Sequence, residues 1–113
     1  MLGKSLAQLS PMGYSNCMYE IYTLPEFDAF QESVKDPIAA AAIATRIDRA
    51  ALGLLGDRKT VGDGVSEMRV DVGQGYRLYY VLRKRTIVLL LCGSDKRDQE
   101  RAIKLAKKLA KEN

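Results

Sequence analysis

Arg69, Arg77 and Lys96 are the residues of this chain best placed to do chemistry, and what such cations do together is hold an anion. Arg69 lies in an alternating run, Glu67 to Val72, with Met68, Val70 and Val72 on one face and Glu67, Arg69 and Asp71 on the other. Arg77 lies in the next run, where Tyr76, Leu78, Tyr80 and Leu82 alternate with Arg77, Tyr79 and Val81. Gly73-Gln74-Gly75 turns the chain between them, so the two arginines can approach across an antiparallel ladder. Lys96 and Arg97 follow a third strand and open the last helix, whose N-terminus adds N–H groups and partial positive charge suited to a phosphate. Neighbouring arginines repel unless an anion or a carboxylate stands between them, and Glu67, Asp71 and Asp95 are close enough in sequence to serve. A lattice of surface ion pairs and an anion site are both open for Arg69 and Arg77. Tyr79 shares the face of Arg77 and is a candidate stacking surface or phenolic proton donor.

The rest of the composition narrows the chemistry. The chain has no histidine, so the imidazole acid and base of many RNA-cleaving and acyl-transfer sites are missing, and no Cys/His cluster exists to hold zinc. No Walker-type phosphate loop occurs, and no cofactor is implied. Cys17 and Cys92 are far apart in sequence, and Cys92 falls in the most apolar run, where a thiol acts as a small hydrophobe; this reads as a reducing cytoplasm. The N-terminal stretch lacks the apolar core of a signal peptide, and no apolar run is long enough for a membrane span, which takes about 18 residues. Net charge is +4 and unevenly placed: residues 1–56 hold four Lys/Arg against six Asp/Glu, residues 57–113 fourteen against eight. The basic half is where a polyanion would bind, and Arg58, Lys59, Arg97 and Lys104 join Tyr79 as candidate nucleic-acid contacts there.

The elements that must position these residues follow from periodicity. Residues 1–17 show none and read as an arm, so the folded domain is expected to span 18–113. A strand, Tyr19 to Leu24, stops at Pro25, and Phe27, Phe30 and Val34 then mark one stripe of a short helix. Asp36 and Pro37 cap and start a second helix through Leu55, with Ile43, Ile47, Ala50 and Leu54 inward and Gly56 as its C′ residue. Residues 56–64 read as a mobile loop. Three strands follow as a meander, the last of them, Thr86 to Cys92, apolar enough to be covered on both faces. Ser94 or Asp95 caps a basic helix with Ala102, Ile103, Ala106, Leu109 and Ala110 inward. The expected class is α+β: an N-terminal strand and helical hairpin packed on an antiparallel sheet of about four strands, with a C-terminal basic helix.

Taken in order, Glu67-Met68-Arg69, Gly75-Tyr76-Arg77, Leu89-Leu90-Leu91-Cys92-Gly93, and Asp95-Lys96 with Gln99 before a Lys-rich helix resemble the RelE/ParE toxin superfamily of type II toxin–antitoxin systems. The likeness is strongest to its HigB-like branch of phage-derived, addiction-module killer proteins, and it covers residues 18–112. It implies a RelE-like fold and a ribosome-dependent mRNA interferase, in which the ribose 2′-oxygen attacks the adjacent phosphate. On this resemblance Arg77 clamps the scissile phosphate, Arg69 shares that task and Lys96 neutralises the phosphate or the leaving 5′-oxygen, each contact worth roughly 3–4 kcal/mol by analogy with oxyanion-hole donors. Glu67 is open as a base or as a counter-ion. The implied partners are the ribosome and mRNA, and a helix-turn-helix antitoxin of the HigA type through which the complex would bind operator DNA. The chain departs from the RelE pattern at Met68 and Val70, where RelE carries catalytic lysines, and near Ile103, where it carries a tyrosine. Two other readings stay open: a ParE-like inhibitor of DNA gyrase, and a phage-derived protein that binds nucleic acid without catalysis.

Overall fold

A computed structural model describes residues 3–4, 19–56 and 58–113 of the chain. Its elements are β1 (Gly3–Lys4), β2 (Glu20–Thr23), α1 (Pro25–Ser33), α2 (Pro37–Ala51), β3 (Arg58–Gly62), β4 (Val65–Val70), β5 (Tyr76–Arg83), β6 (Ile87–Asp95) and α3 (Gln99–Glu112), with a 3-10 turn, Lys96–Asp98, leading into α3. The strands form one sheet in the order β1-β2-β6-β5-β4-β3. The expected arm and the domain start at residue 18 lie outside the described residues, except that Gly3 and Lys4 pair with Thr23 and Tyr22.

The fold is α+β, with β4, β5 and β6 forming the expected antiparallel meander. Two expectations about the sheet need correction. It is mixed, because β2 joins β6 in parallel, Thr23 opposite Leu90. It also has more than four strands, because the segment read as a mobile loop contains β3, which pairs antiparallel with β4. The cause is local: Gly62 faces Val65 across a two-residue loop, Asp63-Gly64, and both loop residues have positive φ, 56° and 78°. That is the geometry of a type I′ hairpin turn, for which Asp-Gly is a strong signal.

Both faces of the sheet are covered. Met68, Leu78, Tyr80 and Leu90 pack under α1 and α2 against Phe27, Ile43 and Ile47. Tyr79, Val81, Leu89 and Leu91 pack under α3 against Ala102, Ala106 and Leu109. β6 lies between β2 and β5 and is buried from Val88 through Cys92, and every residue of that stretch is apolar. The alternation slips once at Leu91: Tyr79 opposes Cys92 and Tyr80 opposes Leu90, a bulge that gives β6 one extra residue.

α2 starts as expected, with Asp36 Oδ1 accepting from Ile38 N–H at 3.0 Å. It ends earlier, because Gly53, not Gly56, is the C′ residue: Gly53 N–H donates to Ala50 O and Leu54 N–H to Arg49 O, both at 2.9 Å, with Gly53 at φ 85°. This Schellman arrangement turns the chain one step too soon for Leu54, which is exposed while Leu55 is buried. α3 follows the expected face, with Ala102, Ala106 and Leu109 buried and Ile103 and Ala110 packed beside them. Its C-terminal end is held by Arg83, whose Nη2 donates to Ala110 O at 2.8 Å.

α1 crosses the second half of β6 at Gly93, where any Cβ would collide with the Phe30 ring. Phe30 in turn stands edge-on to Tyr76, ring centroids 6.3 Å apart. Gly93→Ala should therefore lower unfolding stability by about 1–3 kcal/mol, the usual cost of overpacking. Urea denaturation would measure it, and adding Phe30→Ala should remove most of the penalty specific to position 93.

Candidate functional site

β4 and β5 bring the two arginines together: Arg69 lies directly opposite Arg77, and Arg77 in turn opposite Ser94 of β6. Of the three carboxylates near in sequence, the structure selects Glu67 as their counter-ion. Its Oε2 lies 3.2 Å from Arg69 Nε and 3.4 Å from Arg77 Nε. Its other oxygen accepts from Gln99 Nε2 at 3.4 Å, so the first turn of α3 is tied to the same group. Glu67 has no exposed surface, the Arg77 side chain is 8% exposed and that of Arg69 34%. Arg77 Nη1 also donates to Tyr76 O at 3.2 Å. Burying a carboxylate is tolerable only when it is paired and hydrogen-bonded: the Arg69 guanidinium and the Gln99 amide donate hydrogen bonds to it, while Arg77 Nε adds an ion pair without a hydrogen bond of good geometry.

Lys96 is exposed and stands at the same end of the sheet, its aliphatic stem laid over Gly75. A Cβ at Gly75 would lie 3.3 Å from Lys96 Cδ, and Gly75 holds φ 84°, so the glycine of Gly-Tyr-Arg both makes the turn and leaves room for the lysine. Along the 3-10 turn and the start of α3 a groove of about 570 Å³ is lined by Lys96, Arg97, Arg101 and Lys104, with Asp98, Gln99 and Glu100 among them. Arg97 is held by Asp95, Nη2 to Oδ2 at 3.1 Å, and reaches Gln74 Oε1 at 3.4 Å. A second cleft, of about 740 Å³, lies between α1, the end of β6 and α3, against Phe30, Val34, Gly93 and Leu105, and none of the three central cations lines it.

The remaining candidates divide by face. Lys59 pairs with Glu67 in the β3–β4 ladder and so belongs to the face of the arginine cluster. Arg58 pairs with Met68 and belongs to the opposite face, away from it. Tyr79 is on the cluster's face but fully buried beneath α3, which leaves no open ring for a base to stack on. Burial pushes its phenol above its ordinary value, opposed by the Ser94 hydroxyl, so it stays protonated at neutral pH. The buried Tyr79 and Ser94 hydroxyls make no hydrogen bond of good geometry. Ser94, read from sequence as a possible helix cap, is instead a strand residue facing Arg77, and Gln99 was visible only as part of a motif. Burial also pushes the Cys92 thiol up to about 12, and its Sγ donates to Ala102 O at 3.5 Å, which suits core packing and not nucleophilic work.

Asp95 is the cap. Its Oδ1 accepts from Arg97 N–H at 2.9 Å and Asp98 N–H at 3.3 Å, and the Arg97 side chain holds its carboxyl below the ordinary value. A depressed carboxylate stabilises fully above its unfolded pKa, and that contribution disappears as pH falls through the folded one. Asp95→Ala should cost about 1 kcal/mol in urea unfolding at neutral pH. Asp95→Asn should recover the cap, and its remaining deficit against the parent should shrink as the pH is taken into the acid range.

No described helix is long and apolar enough to cross a membrane. No family model and no solved structure matches the chain. A protein of Haemophilus influenzae, named only as an uncharacterized protein, is 45% identical over 93 residues, which cover 82% of this chain and 94% of that one. The chain belongs to the same family as this Haemophilus influenzae protein.

Proposed function

We propose that the protein is the toxin of a type II toxin–antitoxin system, of the HigB-like branch of the RelE/ParE superfamily, and acts as a ribosome-dependent mRNA interferase. The observation that supports this best is the pair Arg69 and Arg77, opposed across two strands of a histidine-free chain, with exposed Lys96 at the same end of the sheet. In the reaction the ribose 2′-hydroxyl gives its proton to water as its oxygen bonds the adjacent phosphorus, and the bond to the 5′-oxygen breaks as that oxygen takes a proton from water, leaving a 2′,3′-cyclic phosphate and a 5′-hydroxyl. Arg77 and Arg69 take the charge that builds on the phosphate oxygens, and Lys96 takes that on the departing 5′-oxygen. Glu67, with both oxygens engaged, serves as counter-ion and not as base. Lys59, Arg97 and Lys104 extend the basic surface along the RNA. A helix-turn-helix antitoxin holds the toxin silent in the cytoplasm and carries the pair to operator DNA.

The deep placement of Arg77 against Glu67 favours a second reading, a non-catalytic binder or a ParE-like gyrase inhibitor, in which the cluster is structural. Primer extension on a reporter mRNA in a reconstituted translation reaction separates the two. Ribosome-dependent cuts are expected with the parent and lost with Arg77→Ala, and cells expressing that variant should escape growth arrest. Because Arg77→Ala leaves Glu67 buried with one cation fewer, its folding is checked by circular dichroism, with Arg77→Lys run beside it. Intact mRNA together with inhibited gyrase supercoiling would overturn the interferase assignment.

A further inference from the structure

Arg69 and Arg77 converge on a single oxygen of Glu67, Oε2, rather than each taking a carboxylate of its own. Like charges placed directly opposite in a ladder destabilise it, so this carboxylate is what allows both arginines to occupy one site. It carries one negative charge and presents one anionic oxygen to both guanidiniums, as a non-bridging oxygen of a phosphodiester would. Glu67 is not left stranded if the arginines let go. Its Oε1 keeps the Gln99 donor, and its cross-strand neighbour on β3 is the exposed Lys59. Arg69, a third exposed, is the side of the cluster that solvent reaches.

We infer that Glu67 is an internal occupant of a phosphodiester subsite, and that RNA binds by exchange, its phosphate taking Arg69 and Arg77 from Glu67 while Lys59 and Gln99 retain the carboxylate. The inference rests on the reading that this face binds RNA. It gives Glu67 a role opposite to that of a base or a simple strut. Removing its charge strengthens binding instead of weakening it, because the arginines are no longer neutralised from within. In the parent, affinity is reduced by the fraction of molecules whose arginines are still held by Glu67.

The test measures binding of a 2′-O-methyl RNA oligonucleotide, which cannot be cleaved by its own 2′-oxygen, to the full chain by fluorescence anisotropy. Glu67→Gln is expected to bind about tenfold more tightly than the parent. Its thermal midpoint should rise with added inorganic phosphate by more than the parent's does, since in the variant no carboxylate competes for the arginines. Equal or weaker binding by a folded Glu67→Gln overturns the inference. If that variant does not fold, the Arg69 and Arg77 Nε–H resonances of the parent, assigned with Arg69→Lys and Arg77→Lys, decide the matter: both should shift as the oligonucleotide is added. Binding with both resonances unmoved removes the exchange and leaves RNA recognition standing. No binding by either protein removes both. Exchange without ribosome-dependent cleavage removes only the interferase.

Discussion

A carboxylate with no exposed surface imposes terms on everything around it, and Glu67 is such a group. Charge in the interior has to be balanced within hydrogen-bonding reach or the group loses its ionised form. Glu67 is met by a guanidinium on its own strand, a second on the next strand and an amide from a helix more than thirty residues away in sequence. One side chain thereby fixes the register of β4 on β5 and the seat of the first turn of α3. A one-residue slip between those strands would separate the arginines and send them to opposite faces. The cluster is thus a check on the topology as well as a place where an anion can be held.

The two faces of the sheet share the work unequally. The face under α1 and α2 is apolar and supplies a conventional core. The face under α3 is apolar only in part: past Tyr79 it gives way to Glu67, the arginines and Ser94. Alanines at 102 and 106 let α3 lie close to the sheet, so the change from packing to polar chemistry takes place beneath one helix.

Much of this could be read from residue order. The period-two runs at Glu67–Val72 and Tyr76–Leu82 gave the meander and the pairing of the arginines, because alternation and a Gly-rich turn leave few registers. β3 was missed because Gly, Asp and exposed cations dominate residues 56–64, although Asp63-Gly64 carried the hairpin signal. The end of α2 was misplaced for a related reason: two glycines compete for the same role, and backbone hydrogen bonding decides for Gly53. The choice of Glu67 over Asp71 or Asp95 was not legible. It depends on the depth of β4 beneath α3, and Asp95 is occupied as a cap. Tyr79 looked available for stacking because alternation reports the face of a strand but not what covers it.

α3 is pinned by polar contacts at both ends, through Gln99 to Glu67 and through Arg83 to the carbonyl of Ala110, with Ala102, Ala106 and Leu109 packed on the sheet between. Its first tether lands on the same carboxylate that joins β4 to β5. Fraying from the N-terminus therefore breaks into the arginine cluster before it exposes the packed stretch, and the last turn can loosen alone only if Arg83 lets go. The start of the helix is thereby tied to the ladder, and amide exchange there depends on the integrity of a polar site as much as on the apolar seam beneath it.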